Sequence, residues 1–213
     1  MKPVLFLAAL AVLAVPGAAQ ARRYPPRDAC AKVEGARDFR RALTTAVANR
    51  DAAMLAQLAS PDILLDFGGG SGRETLVERL DDPHYRLWRE LDALLLLGCA
   101  PASGEDAQGI ALPWYWGQRI DEVDAMEGML ATGGAVALRA APSDDAELLG
   151  SLAWDAVALA GPWEPDAPFL KVKVPGGKVG YVRQDQLRSL VDYRLLAAPV
   201  DGKWQITALV AGD

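Results

Sequence analysis

The chain has 213 residues, of which 51% are hydrophobic and 23% are charged, a composition typical of globular proteins. Its formal net charge is −6, and an acidic chain has no general electrostatic attraction to phosphate backbones or to anionic lipid surfaces. The composition therefore disfavours nucleic acids and membrane surfaces as partners, and the length suggests one or two domains.

Residues 1–21 have the three parts of a secretory signal peptide. Lys2 supplies a positive start, residues 4–15 are an unbroken apolar run, and Ala19-Gln20-Ala21 supplies an A-x-A exit. The apolar run is too short to be a stable membrane anchor. We therefore predict a periplasmic or secreted protein that is cleaved near Ala21 and is not inserted in a membrane after cleavage. The alternative is a buried N-terminal helix.

The chain has two cysteines, Cys30 and Cys99. An even number of cysteines in an oxidising compartment favours a disulfide, and we predict that these two residues pair. The alternative is two separate buried thiols. A disulfide here would clamp the N-terminal domain onto its own start.

Residues 22–128 are predicted to form an α+β domain of helices and short strands. An apolar stripe at helical spacing begins at Phe39, and Asp51 can cap a second helix that must end before the next proline. Residues 63–67 then predict a short buried strand, and residues 110–116 predict a later one.

The third and fourth helices are predicted from residues that cap helices. Ser71 and Glu74 have the spacing of a capping box, and Asp82 followed by Pro83 indicates a cap with proline at the first helical position. On this interpretation His84 lies in the first turn of the fourth helix.

From Ala135 the pattern changes to short strands separated by turns, which is typical of a small barrel or sandwich. The last segment, residues 191–213, alternates in polarity on both sides of Asp201-Gly202, a two-residue turn signal for a β-hairpin. Its apolar side chains, which include Trp204, need a partner. We predict that the hairpin returns to the N-terminal domain and packs along the strand at 110–116.

Residues 135–190 resemble the bacterial Src-homology-three-like (SH3-like) domain. The segment 136–143 is similar to the family's V-x-[L/V]-R-x-x-P-S opening, and the segment 177–182 is similar to its closing G-x-x-G-Y-V. Phe169 stands where the family usually has a tryptophan. The resemblance implies an SH3-like β-barrel over residues 129–190, whose ligand is a cell-wall peptide or a protein segment.

SH3-like barrels use loop aromatic residues to recognise peptides. By this resemblance, the candidate ligand-binding residues are Trp163, Arg139 and Tyr181. Trp163 lies in a loop rich in proline and glycine and is the best surface candidate, whereas packing in the core is at least an equal interpretation for Tyr181. The aromatic cluster at 113–116 favours packing between domains, and stacking on a sugar or peptide is its alternative.

The remaining elements resemble a SnoaL-like cone. The order is helix, helix, strand, F-G-G-x-x-G, helix and, much later, a hairpin that contains Trp204-x-Ile206. This resemblance implies a barrel inserted into the cone and a pocket with Asp66 and Arg73 near its mouth. The glycine run at 68–72 precedes a helix, a geometry that can hold an anion, although a tight turn also explains the glycines. The whole layout also resembles exported SH3-domain proteins of alphaproteobacteria.

The sequence shows no constellation typical of the common catalytic and metal sites, although its carboxylates do not exclude glycoside hydrolysis. His84 is the single histidine, which excludes a zinc site with two or more histidines, and no G-x-S-x-G motif occurs. We therefore predict a non-enzymatic binding or scaffold protein of the cell envelope, without a cofactor or a metal. The second hypothesis is a small-molecule binder or an enzyme that uses the SnoaL-like pocket.

Overall fold

The structure is a computed structural model that describes residues 22–102 and 108–212. The predicted signal peptide, residues 1–21, lies outside the described residues. Within them the protein is mixed α+β, with four α-helices and two β-sheets, and most of its elements are strands. None of the described helices is both long enough and apolar enough to span a membrane.

The helices are α1 (Ala36–Ala48), α2 (Ala52–Leu58), α3 (Arg73–Asp81) and α4 (Leu87–Leu96). The strands are β1 (Arg27–Asp28), β2 (Ala59–Leu64), β3 (Gly98–Pro101), β4 (Ile110–Leu112), β5 (Gly128–Ala131), β6 (Val136–Arg139), β7 (Leu148–Leu152), β8 (Ala156–Leu159), β9 (Phe169–Lys173), β10 (Val179–Arg183), β11 (Leu187–Ser189), β12 (Arg194–Val200) and β13 (Lys203–Val210). Short 3₁₀ turns lie at Trp114–Gly117 and Gln184–Gln186.

The first sheet has six strands in the order β1-β3-β4-β12-β13-β2. The C-terminal hairpin therefore supplies two inner strands, with β12 antiparallel to β4 and β13 parallel to β2. Asp201 and Gly202 both have positive φ, 50° and 75°, at the turn of this hairpin. Two successive residues in the left-handed region suit the twist of the strands that they connect.

The helices and the first sheet share one apolar core. The stripe of α1 is buried at Phe39, Leu43 and Val47, and the ring of Trp204 from β13 stacks on the ring of Phe39 with 5.5 Å between centroids. Gly35, which precedes α1, has a φ of 74°, and a Cβ there would lie 2.3 Å from Nε1 of Trp204. A glycine is therefore required where this helix begins against the hairpin.

The two predicted caps of α3 and α4 are wrong, whereas the cap of α2 is confirmed. Asp51 accepts a hydrogen bond from the Met54 amide at 2.8 Å. The N-cap of α3 is Gly72, and no side chain caps this helix, so Ser71 and Glu74 form no capping box. Ser71 instead makes a backbone bridge to Leu64, which places it in the turn before the helix.

The fourth helix begins later than predicted, at Leu87. Asp82 accepts a hydrogen bond from the His84 amide at 2.8 Å and so closes a local turn over Pro83 instead of capping a helix. His84 is exposed in this turn and is not in the first turn of α4.

Two strands are shorter or earlier than predicted. The chain leaves β2 after Leu64, because the amides of Leu65 and Asp66 donate to the carbonyl of Gly70 and form a turn over residues 65–70. The strand predicted at 110–116 ends at Leu112, where Pro113 has no N–H to donate to a sheet ladder. The 3₁₀ turn that follows holds the aromatic cluster.

The second sheet has seven strands in the order β11-β5-β8-β9-β10-β6-β7. Alternate residues of these strands form a second apolar core, which contains Met129, Val136, Leu138, Val172 and Val182. Between β9 and β10 the pairing is antiparallel, with Tyr181 opposite Lys171.

A third apolar cluster lies between the two sheets. Trp114 and Tyr115 are each 3% exposed in this cluster, together with Leu130 from β5 and Leu190, which directly follows β11. Tyr24 is fully buried there, and its hydroxyl donates to Glu122 at 2.9 Å. Two residues of the predicted aromatic cluster thus pack where the sheets meet.

The predicted disulfide between Cys30 and Cys99 is confirmed, with 5.6 Å between the Cα atoms. It joins the N-terminal segment to β3, and β1 pairs with β3 in parallel orientation. At Gly98 a Cβ would lie 2.1 Å from the carbonyl oxygen of Arg27, so the segment approaches β3 closely only because this residue is a glycine. A disulfide is consistent with folding in an oxidising compartment.

Candidate functional site

A groove of about 470 Å³ lies on the second sheet and is lined by two loops and two strands. The loop at 140–147 connects β6 to β7, and the loop at 160–168 connects β8 to β9. The lining residues are Pro142, Gly161, Pro162, Glu164, Ala167, Pro168, Phe169, Leu170, Lys171 and Tyr181. The groove is therefore mostly apolar, with proline and aromatic walls.

The strands present Phe169, Lys171 and Tyr181 to the groove because residues alternate between the two faces of a strand. In β9, Leu170 and Val172 are buried in the second core, so Phe169 and Lys171 lie on the opposite face. Tyr181 lies beside Lys171 across the ladder. The structure thus gives Tyr181 a half-buried place in the lining, outside the second core.

Trp163 lies on the loop at 160–168 and is 50% exposed. Its neighbours Pro162 and Glu164 both line the groove, whereas Trp163 itself is not among the lining residues. Gln184 holds the loop in place. Its side-chain Nε2 donates to the Pro165 carbonyl at 2.9 Å, and its backbone N–H donates to the Pro168 carbonyl at 3.0 Å. A braced loop presents an exposed indole with little cost in conformational entropy on binding.

Arg139 does not line the groove. Its guanidinium donates to the carbonyl of Ala146 at 2.9 Å and so braces the loop at 140–147. Of the three predicted ligand-binding residues, Tyr181 is in the lining, Trp163 is exposed on a loop that contributes to the lining, and Arg139 supports one wall. The structure thus places one of the three in the groove and gives Arg139 a contact that positions a loop.

Arg183 is a residue of this site that the sequence analysis missed. Its guanidinium lies 5.7 Å from the centroid of the Phe169 ring and forms ion pairs with Asp144 at 2.7 Å and Asp185 at 3.2 Å. The hydrogen bond to Asp185, followed by the charge of Asp144, raises the pKa of Arg183. Strand alternation could have found this residue, since it lies two positions beyond Tyr181 on the same face of β10.

Asp66 and Arg73, the residues predicted near a second pocket, are both bonded to groups of the protein itself. Arg73 donates to the carbonyl of Ala59 from Nε at 2.8 Å and from Nη2 at 2.6 Å. The carboxylate of Asp66 accepts from the amides of Gly68 and Gly70 at 2.7 and 2.9 Å and pairs with Arg79. The glycine turn thus directs two of its N–H groups to the protein's own carboxylate.

The pKa of Asp66 is lowered, first by the hydrogen bond from Arg79 and next by the amide of Gly70. The carboxylate therefore stays ionised and keeps its place in the turn. The helices α1 to α4 and the first sheet share one continuous apolar cluster.

No protein-family model matches this chain, and no curated protein matches it. Within the part of the chain that the structure describes, no group of three or more histidine, cysteine, aspartate or glutamate side chains is placed to hold a metal ion.

Proposed function

We propose that this chain is a non-enzymatic binding or scaffold protein of the cell envelope, and that the groove beside Trp163 binds an extended peptide. The observation that carries the proposal is the lining itself, in which Phe169 and Tyr181 lie among prolines, next to a loop that exposes the indole of Trp163. Flat aromatic and proline surfaces suit extended peptides, because they contact the ligand's apolar side chains while its backbone stays solvated.

The strand pattern supports an SH3-like barrel over residues 129–190 as the scaffold of this groove. Short antiparallel strands follow one another from β5 to β11, and the two loops of the groove leave the same sheet. The Cys30–Cys99 disulfide, together with the predicted signal peptide, supports a periplasmic or secreted location. The ligand classes in this location are a cell-wall peptide and a segment of another envelope protein.

The alternative, a SnoaL-like cone that acts as an enzyme or binds a small molecule, has less support. It requires Asp66 and Arg73 to face a ligand. In the structure Arg73 donates to the carbonyl of Ala59, and Asp66 pairs with Arg79.

The test is retention by cell-wall material and by peptides. The chain from Arg22 onward, in its oxidised form, is mixed with purified peptidoglycan and, separately, with an immobilised library of extended peptides. We expect retention in at least one arm, and we expect Trp163→Ala to weaken it roughly tenfold or more, as truncation of a buried tryptophan contact does.

Phe67→Ala is the matched control, because Phe67 is another exposed aromatic residue, 58% exposed, in the turn that follows β2. Circular dichroism melting of both variants shows whether either substitution disturbs the fold. Absence of retention in both arms, or equal loss for the two variants, would contradict the proposal.

A further inference from the structure

A second cavity, of about 440 Å³, lies at the end of β9, whereas the groove contains the first three residues of that strand. Its lining includes Glu122 and Asp124 from the segment before β5, Lys173 from β9, and the turn at 174–177 that leads to β10. Small-molecule sites in proteins have volumes of about 300–1,000 Å³, so this cavity is large enough for a small ligand. Two carboxylates and one ammonium group therefore belong to the lining of one small space.

The acidic wall of this cavity, residues 122–124, is held in place by the rest of the fold. Val123 packs against the apolar cluster between the two sheets, and the fully buried Tyr24 donates its hydroxyl hydrogen to Glu122 at 2.9 Å. The wall also folds back closely onto β5, since a Cβ at Gly128 would lie 2.7 Å from the carbonyl oxygen of Asp124. The two carboxylates therefore lie on a braced segment, which reduces the entropy that a ligand must remove on binding.

The opposite side of the cavity carries the ammonium group of Lys173. Val172 is buried in the second core, so its neighbour Lys173 lies on the outer face of β9. Ala158, also in the lining, lies beside Lys173 across the ladder, and its side chain is small. In the turn, a Cβ at Gly176 or Gly177 would have no other atom within 4 Å. These residues leave the space next to the lysine open.

The charges in the lining are not neutralised by the protein. Among the described residues, no ion pair forms at Glu122, Asp124 or Lys173. The partner of Glu122 is a phenol, and Asp124 accepts a hydrogen bond from the backbone amide two residues later. A simple anion in the cavity would meet two carboxylates, and a simple cation would meet the lysine. A ligand that carries both charges would find a partner for each.

We propose that this cavity binds a small zwitterion of amino-acid size, with its ammonium group on Glu122 and Asp124 and its carboxylate on Lys173. An ammonium group has three N–H donors and can therefore reach both carboxylates. Hydrogen bonds between ionised groups are the stronger kind, which suits a ligand with little apolar surface. The inference goes beyond the proposed function and does not depend on it, because both the site and the class of ligand differ.

The test uses alanine and two analogues that each lack one charge. Ethylamine lacks the carboxylate and propionate lacks the ammonium group, and glycine and lysine test the tolerance for side chains. Each compound is titrated into the oxidised, ¹⁵N-labelled chain from Arg22 onward, and amide chemical shifts are followed by NMR. We expect saturable shifts at residues 122–124 and 173–177 with the amino acids. Ethylamine and propionate should each bind roughly fivefold more weakly than alanine, the effect of one exposed charge pair.

Substitutions assign each charge of the ligand to its partner. Lys173→Met keeps the aliphatic stem, and it should weaken alanine roughly fivefold and leave ethylamine unchanged. Glu122→Gln/Asp124→Asn should weaken both compounds, while the amide oxygen of Gln can still accept from Tyr24. The matched control is Lys171→Met, two residues away on the same face of β9 and outside the lining of this cavity. It should leave every titration unchanged.

The outcomes test this inference separately from the proposed function. Absence of saturable shifts at residues 122–124 and 173–177 with all three amino acids would overturn it. Ethylamine that binds as tightly as alanine would reveal a simple cation site, and equal losses for Lys173→Met and Lys171→Met would reveal a general charge effect; either result contradicts the proposal. Trp163→Ala, which tests the groove, should leave these titrations unchanged, so either site can fail without the other.

Discussion

Arg188 in β11 donates a hydrogen bond to Glu90 in α4 at 2.8 Å, and this contact ties the second sheet to the helical layer of the first. Both side chains are nearly buried, with exposures of 9% and 13%. Arg188 also pairs with Asp192 at 3.2 Å and donates to the carbonyl of Tyr193 at 2.9 Å. One guanidinium therefore holds together α4, β11 and the segment that leads into β12.

Replacing Arg188 with methionine should destabilise the protein by about 3–5 kcal/mol, because it leaves the buried carboxylate of Glu90 without a partner. The matched control is Arg183→Met, which removes a more exposed arginine with two carboxylate partners and should cost far less, because solvent screens exposed ion pairs. Urea unfolding monitored by tryptophan fluorescence measures both. Equal losses for the two variants would show that the buried pair has no special role.

Tyr24 and Tyr115, which are buried in the apolar cluster between the two sheets, predict a loss of stability at alkaline pH. Burial, with a hydrogen bond to Glu122, raises the pKa of Tyr24 to about 12, and burial raises the pKa of Tyr115 to about 12. Unfolded tyrosine has a pKa of about 10, so the folded state keeps these protons longer. The contribution of both groups to the free energy of unfolding is fully present below about pH 10 and is lost as the pH rises toward about 12.

Absorbance titration of phenolate should therefore show a late component that coincides with unfolding. Tyr24→Phe should reduce the late component and the slope of stability against pH, since phenylalanine keeps the ring in place and removes the titrating group. Titration of all five tyrosines near pH 10 in the folded protein would contradict the prediction.

Local pattern and chemistry predicted much of the fold. The stripe that begins at Phe39 predicted α1, and the turn at Asp201-Gly202 predicted the hairpin, because each signal acts over a few residues. The disulfide followed from the number of cysteines and the export signal. The capping box at Ser71 failed because the same residue could bridge to Leu64, a pairing between segments that helix rules do not include.

Contacts between distant segments could not be predicted in this way. Arg188 and Glu90 are 98 positions apart, and neither has a neighbour in sequence that indicates the other. In the groove, strand alternation accounts for the side of the sheet on which Tyr181 lies. The contact between Arg139 and the Ala146 carbonyl depends on how the loop folds back, which residue type and spacing do not specify.

The Cys30–Cys99 disulfide should contribute a substantial part of the stability. It closes a loop with a sequence separation of 69, for which the chain-entropy model gives about 4 kcal/mol as an upper value. We expect Cys30→Ser/Cys99→Ser to lower the free energy of unfolding by about 2–4 kcal/mol. We also expect proteases to cut residues 22–30 faster, because β1 and Tyr24 are then held by non-covalent contacts alone.

The control for this experiment is the reductant itself. Treating the wild-type protein with dithiothreitol should reproduce the urea midpoint of the double variant, and the same treatment should leave the double variant unchanged. A wild-type midpoint that stays constant after complete reduction, verified by counting free thiols, would contradict a stabilising role for the bond.

Removing the C-terminal hairpin should unfold the helical part of the protein. The hairpin lies inside the first sheet, so deleting residues 192–213 separates β4 from β2 and exposes the face of α1 on which Trp204 stacks. We expect an insoluble or proteolysed product.

The milder change Trp204→Ala should cost about 2–4 kcal/mol, less than truncation of a fully buried tryptophan, because this side chain is half-buried. Met126→Ala, at a side chain 57% exposed, is the control and should change stability little. A truncated chain that purifies as a monomer with unchanged melting would show that the first sheet does not need these strands.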